Sequence, residues 1–123
     1  MILNSYKQAI ANLYNQRSDS YDQGNFHHKL AQLLINYAKI KPKQRVLDIA
    51  TGTGLVAIEA AEKVGPDGFV MGVDIAELML AKAQEKSQIM SLNNLEFIQA
   101  DIEVSERFVK LDNSQIVAYY LFP

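Results

Sequence analysis

Thr51-Gly52-Thr53-Gly54 closes a short apolar run, Arg45-Val46-Leu47-Asp48-Ile49-Ala50, and this junction leaves the chain few ways to fold. A run this short, apolar and bounded by glycine reads as a buried strand. Two glycines in three residues supply a tight turn. Residues 55–64 then carry Ala57, Ala60, Ala61 and Val64 on one face of a helix. The unit repeats. Gly65-Pro66-Asp67-Gly68 is a turn in which proline sets φ and glycine admits positive φ. Residues 69–74 read as a second strand and 77–91 as a helix with Met79, Ala83 and Met90 facing inward. Asn93-Asn94 breaks that helix, and 95–100 read as a third strand. Residues 103–111 read as a short helix or a loop, Asp112-Asn113-Ser114 as a turn, and 115–122 as a fourth strand. This alternation predicts the α/β class, a mostly parallel sheet with helices on both faces.

Two helices are expected upstream. Tyr6, Ile10, Leu13 and Tyr14 recur at helical spacing over 5–17, and Leu30, Leu33, Leu34 and Tyr37 over about 27–40, with Pro42 ending the second. Residues 18–25 are polar and read as a loop. The expected division is a helical segment at 1–43 and the α/β part at 44–123. A length of 123 residues suits one domain, and 49% apolar with 21% charged residues is globular composition. A net charge of −2 with scattered Lys and Arg argues against a nucleic-acid or membrane partner. Absence of cysteine excludes disulfides and thiolate metal sites and suits a cytoplasmic location. No metal site is expected. No apolar run approaches the ~20 residues of a membrane span.

Three acids mark a candidate binding edge. Asp48 lies near the end of the first strand, Asp74 at the end of the second and Asp101 at the end of the third. Carboxyl ends of neighbouring parallel strands are where ligands bind in open α/β sheets. Gly52 and Gly54 bare the backbone beside them, and the next helix starts with N–H groups aimed at the ligand. Asp74 can accept from both hydroxyls of a ribose, and Asp101 from an adenine amino group. Each feature has a plainer reading: a strand–helix turn for the glycines, a helix start for Asp74, a turn residue for Asp101. Gly52-Thr53-Gly54-Leu55-Val56-Ala57 also matches a dinucleotide fingerprint, with Asp74 at the ribose-reading distance. Against that, Asp48 would repel a pyrophosphate and attract a cation. A dinucleotide domain also commonly opens directly with its first strand.

At these residues the chain resembles the class I S-adenosylmethionine-dependent methyltransferases. Residues 46–54, Gly72-Val73-Asp74-Ile75 and residues 94–101 are similar to three of their motifs, and the wording of the first is similar to the ubiquinone/menaquinone-type, small-molecule branch. The resemblance implies a Rossmann-like sheet of order 3-2-1-4 and S-adenosylmethionine as cofactor. It implies that Asp48, Ala50, Thr51, Gly52 and Gly54 surround the methionine part, and that Asp74 holds the ribose. Ile75 and Met79 would flank the adenine, Asp101 and Ile102 would sit at its edge, and Ala118 and Tyr119 would lie near the methyl group. Ala50 stands where the family commonly has glycine, and Gln115 where an acid often precedes strand four. The family's sheet has seven strands, and only four are expected here.

The resulting expectation is methyl transfer to a small-molecule acceptor, with this chain carrying the donor-binding half. The alternatives are a non-catalytic donor-binding fragment and an NAD-type domain. No catalytic residue is assigned. His27 or His28 can serve as a base or hold the acceptor, though two residues at a helix start is the plainer reading. Tyr21 is expected to fold over the donor or sit in its loop, and Tyr14 to pack in the core. Tyr119 and Tyr120 read as sheet residues. An uncovered fourth strand is expected to pair with a second copy. Light scattering should therefore give the mass of a dimer or larger, and a single-copy mass removes the expectation.

Overall fold

The computed structural model describes residues 2–101 and the backbone of residues 116–120. Helices α1 (Ser5–Arg17) and α2 (Phe26–Ala38) precede β1 (Arg45–Ile49), α3 (Leu55–Val64), β2 (Phe69–Asp74), α4 (Glu77–Ile89), β3 (Leu95–Gln99) and β4 (Ile116–Tyr120). β1 pairs with β2 and β2 with β3, all parallel. β4 runs along the other edge of β1, Leu47 opposite Ala118, and the order is β3-β2-β1-β4. The expected readings of 103–111 and of the turn at 112–114 lie outside the described residues. Among those described, no helix is long and apolar enough to cross a membrane.

Local chemistry sets the boundaries. Asn4 caps α1, its side chain accepting the Lys7 N–H at 2.8 Å. Asn94 Nδ2 donates to the carbonyls of Ala61 and Gly65 at 2.8 and 2.7 Å. These lie in the last turn of α3, where carbonyls lack helical partners. Asn94, which follows α4 in the chain, thus seals the end of α3; α4 itself stops earlier than the asparagine pair, at Ile89.

The register sets Val46 beside Val70 and Val70 beside Leu95 on the face that meets α3 and α4. α3 is buried nearly all round because it lies between the sheet and α2. Ala57, Ala60 and Ala61 keep it slim enough for Ala31 and Ile35 of α2 to close on it. Each fully buried valine in this core contributes roughly 1.5 kcal/mol or more.

One expectation about packing needs correction, and the helix faces that meet the core emerge from the structure. Met90 is exposed rather than inward, because α4 stops at Ile89 and Met90 forms its cap. In α2 the packed residues are Ala31, Leu34, Ile35 and Ala38, whereas Leu30, Leu33 and Tyr37 point outward. In α1 only Ala11 is buried, while Tyr6 and Leu13 are exposed. Apolar spacing located these helices but did not say which flank meets the core.

Gly72 lies where three layers meet. A Cβ there would stand 2.7 Å from both Phe97 Cδ1 and Thr51 Oγ1. Gly72→Ala should therefore cost about 1–3 kcal/mol through overpacking. Urea denaturation tests this; an unchanged midpoint contradicts the packing.

Candidate functional site

The loop after β1 is built from left-handed residues. Ala50, Gly52 and Gly54 have φ of 60°, 58° and 81°. At Ala50 this conformation costs about 1–2 kcal/mol that glycine would not incur. The Thr51 N–H donates to the Val73 carbonyl and the Gly54 N–H to the Thr51 carbonyl, both at 2.9 Å. The Gly52 N–H donates to Asp74 Oδ2 at 2.7 Å, and the Ala76 N–H to Asp74 Oδ1 at 2.9 Å. One carboxylate at the end of β2 thereby holds the loop and the start of α4 together. A step further on, the Ala100 N–H donates to the Asp74 carbonyl at 3.0 Å, which brings Asp101 to the same rim.

The two loop glycines are needed for different reasons. A Cβ at Gly54 would stand 2.9 Å from both Ala83 Cβ and Phe97 Cζ, so close packing of the loop on α4 and β3 demands glycine there. A Cβ at Gly52 would meet only Met79 Cε, at an ordinary 3.6 Å, so its positive φ is the reason. Met79 is buried, its tip beneath Gly52, and Ile75 is half-buried.

Asp48 is 1% exposed. Its Oδ2 accepts the Thr51 hydroxyl at 2.7 Å, while Oδ1 has no hydrogen-bond partner. Burial pushes its carboxyl up to about 7, and the charge of Asp74 adds to this. The Thr51 hydroxyl and the Ala57 amide pull it down without offsetting burial. Asp74 is also raised by burial, against the N–H groups of Ala76, Gly52 and Ile75, which lower it.

The N-terminal segment lies against this rim. Tyr21 stacks on His27 with ring centroids 4.0 Å apart and planes 14° apart, and His27 Nδ1 lies 3.1 Å from the Tyr21 carbonyl oxygen. Burial raises the Tyr21 phenol, and the charges of Tyr14, Asp22 and Asp74 add to it, against Arg17, which lowers it. Tyr14 is half-buried beneath the Arg17 guanidinium, 5.5 Å from its ring centroid. His28 is exposed. Asp22 accepts the Thr53 hydroxyl at 2.5 Å and Lys86 Nζ at 2.7 Å. Lys7 Nζ donates to Asp101 Oδ2 at 2.7 Å, and Leu78 N–H to Asn15 Oδ1 at 2.9 Å.

The structure thus gathers Asp48, Ala50, Thr51, Gly52, Gly54, Asp74, Asp101 and Tyr21 at one rim. Ile102 and the side chains of Ala118 and Tyr119 lie outside the described residues. Sequence reading missed Lys7, Asp22, Thr53 and Lys86. Nothing in their spacing marks them, since their partners are 31, 64 or 94 residues away. Among the described residues, no cluster of three metal-binding side chains occurs.

A glycine loop tied to an acid at the end of the second strand, with one acid on the first strand and another just past the third, is a nucleotide-type site on an α/β sheet. Residues 40–116 match a family described as a methyltransferase domain, and the chain belongs to the class I S-adenosylmethionine-dependent methyltransferases. It is 34% identical over 101 residues to aklanonic acid methyltransferase of a Streptomyces species, covering 80% of this chain and 46% of that one. It is 37% identical over 101 residues to a ubiquinone/menaquinone biosynthesis C-methyltransferase of Bdellovibrio bacteriovorus, covering 77% of this chain and 42% of that one. The crystal structure of TrmN from Thermus thermophilus superposes with a TM-score of 0.60 at 38% identity, over 66% of this chain and 24% of that one. The chain therefore spans less than half the length of these relatives.

The residues present fit such a donor. Each Asp74 oxygen accepts one backbone N–H and keeps capacity for a ribose hydroxyl. The unpartnered buried Oδ1 of Asp48 suits a cationic ligand.

Asp48 also sets a pH dependence. Its folded value of about 7 lies above the ordinary 3.8, so the folded chain holds this proton more tightly than the unfolded chain. The stability it contributes is full below about pH 4 and is lost as pH rises through about 7. The isosteric Asp48→Asn removes that loss and should stabilise the fold by about 2–4 kcal/mol at pH 8. The gain should shrink towards pH 5. Thermal melts at the two pH values decide it; a gap that does not change with pH contradicts the assignment.

Proposed function

We propose that this chain forms the donor-binding part of an S-adenosylmethionine-dependent methyltransferase acting on a small-molecule acceptor. The observation carrying this reading is the Gly52 N–H bonded to the Asp74 carboxylate at 2.7 Å, with Asp48 on β1 and Asp101 just past β3. In this reading Asp74 holds the ribose, with Ile75 and Met79 beside the adenine and Asp101 and Ile102 at its edge. Asp48, Ala50, Thr51, Gly52 and Gly54 surround the methionine part. Tyr21 covers it from the N-terminal segment, and Ala118 lies near the methyl group. When bound, S-adenosylmethionine supplies a methyl group already activated on a sulfonium. The chain's own work is then to orient it and keep water away.

The acceptor class rests on relatives and charge. Two relatives are named for aklanonic acid and for ubiquinone or menaquinone biosynthesis, whereas a third, from T. thermophilus, is named for tRNA. A net charge of −2 favours a small acceptor here, because tRNA binding draws on clustered Lys and Arg. The same proposal takes 1–43 as a covering segment and 44–123 as half of a sheet of order 3-2-1-4. It places the protein in the cytoplasm.

Titration calorimetry with S-adenosylhomocysteine tests the donor assignment. Asp74→Ala should weaken binding by about 1.5–3 kcal/mol, the worth of a hydrogen bond to a charged group. Unchanged affinity, or a preference for NAD, refutes it.

A further inference from the structure

We propose that Asp22 is a positioning residue, clasping the N-terminal segment to the glycine loop so that the methionine end of the donor meets a fixed wall. The inference rests on the donor reading above. Asp22 uses its two oxygens on two different elements. Oδ1 takes the hydroxyl of Thr53, at the centre of the loop, and Oδ2 takes Lys86 Nζ on α4. One carboxylate therefore joins three pieces of chain that are far apart in sequence.

The two bonds differ in consequence. The Asp22 and Lys86 side chains are 37% and 29% exposed, and such a pair contributes little to folding. Thr53 is 1% exposed, so its hydroxyl has no water to turn to if Asp22 leaves. Losing Asp22 therefore strands a buried donor at Thr53, and a shift of the loop centre is the way to relieve it. The preceding residue is Tyr21, whose ring is stacked on His27 at the start of α2. Releasing Asp22 frees the loop centre from the N-terminal segment but leaves the bonds of Asp74 untouched.

That geometry predicts a split between the two ends of the donor. In calorimetry, Asp22→Ala should weaken S-adenosylhomocysteine about 10-fold or more, the loss expected when a charged hydrogen bond no longer holds a contact wall. Methylthioadenosine, which lacks the amino-acid end, should bind Asp22→Ala as it binds the wild type. Asp19→Asn is the control: Asp19 pairs with Lys82 at 3.0 Å on the same segment, and its loss should change neither affinity. Thr53→Val removes the same bond from the other side and should reproduce the split, which keeps the test open if Asp22→Ala does not fold. Equal loss of both compounds, unchanged S-adenosylhomocysteine affinity, or an Asp19→Asn effect of the same size overturns the clasp. A wild-type chain that binds neither compound instead overturns the donor reading itself.

Discussion

The bond from the Gly52 amide to the Asp74 carboxylate joins the first strand's loop to the second strand's end, and much of the rim follows from it. Burying a carboxylate is costly. Asp74 tolerates it because backbone N–H groups of Gly52 and Ala76 meet both oxygens. In exchange, the loop is held in the left-handed conformation that Ala50, Gly52 and Gly54 adopt. Behind it, Phe97 and Ala83 press against Gly54, and Phe97 and Thr51 against Gly72. The loop is thus gripped from the front by a carboxylate and from behind by an aromatic ring.

The N-terminal segment is attached in another way. α2 joins the core through Ala31 and Ile35, packed on α3. α1 and the loop after it are instead held to α4 and the rim by polar tethers: Lys7 on Asp101, Asn15 on the Leu78 amide, Asp22 on Thr53 and Lys86. The more exposed ion pair among these, Asp22 on Lys86, contributes little free energy. The tethers fix direction, and a segment so held can cover a site without being part of the core that supports it.

Much of the architecture was legible in order along the chain. β1, α3, β2 and β3 fall where apolar runs and glycine turns put them, and α1 spans the predicted residues. The signal was local: strand runs of a few residues and glycine where φ turns positive. Facing was less legible. In α2, leucines and a tyrosine marked the helix, yet Ala31 and Ile35 do the packing. In α4, Met90 shares the expected period but falls on the cap. Both have one cause, since a periodic stripe gives a helix's phase without naming the neighbour it meets.

By itself the sequence determined that strands and helices alternate, that a strand runs into a glycine turn, and that acids fall at or near three strand ends. Those are properties of adjacent residues, so spacing records them. Only the tertiary structure decided that Asp48 is left with an unpartnered oxygen, that Gly54 yields its space to Phe97, and that Asp22 reaches Thr53 and Lys86. These depend on burial and on contacts between residues distant in the chain, and such contacts leave no periodic trace in the order of the amino acids.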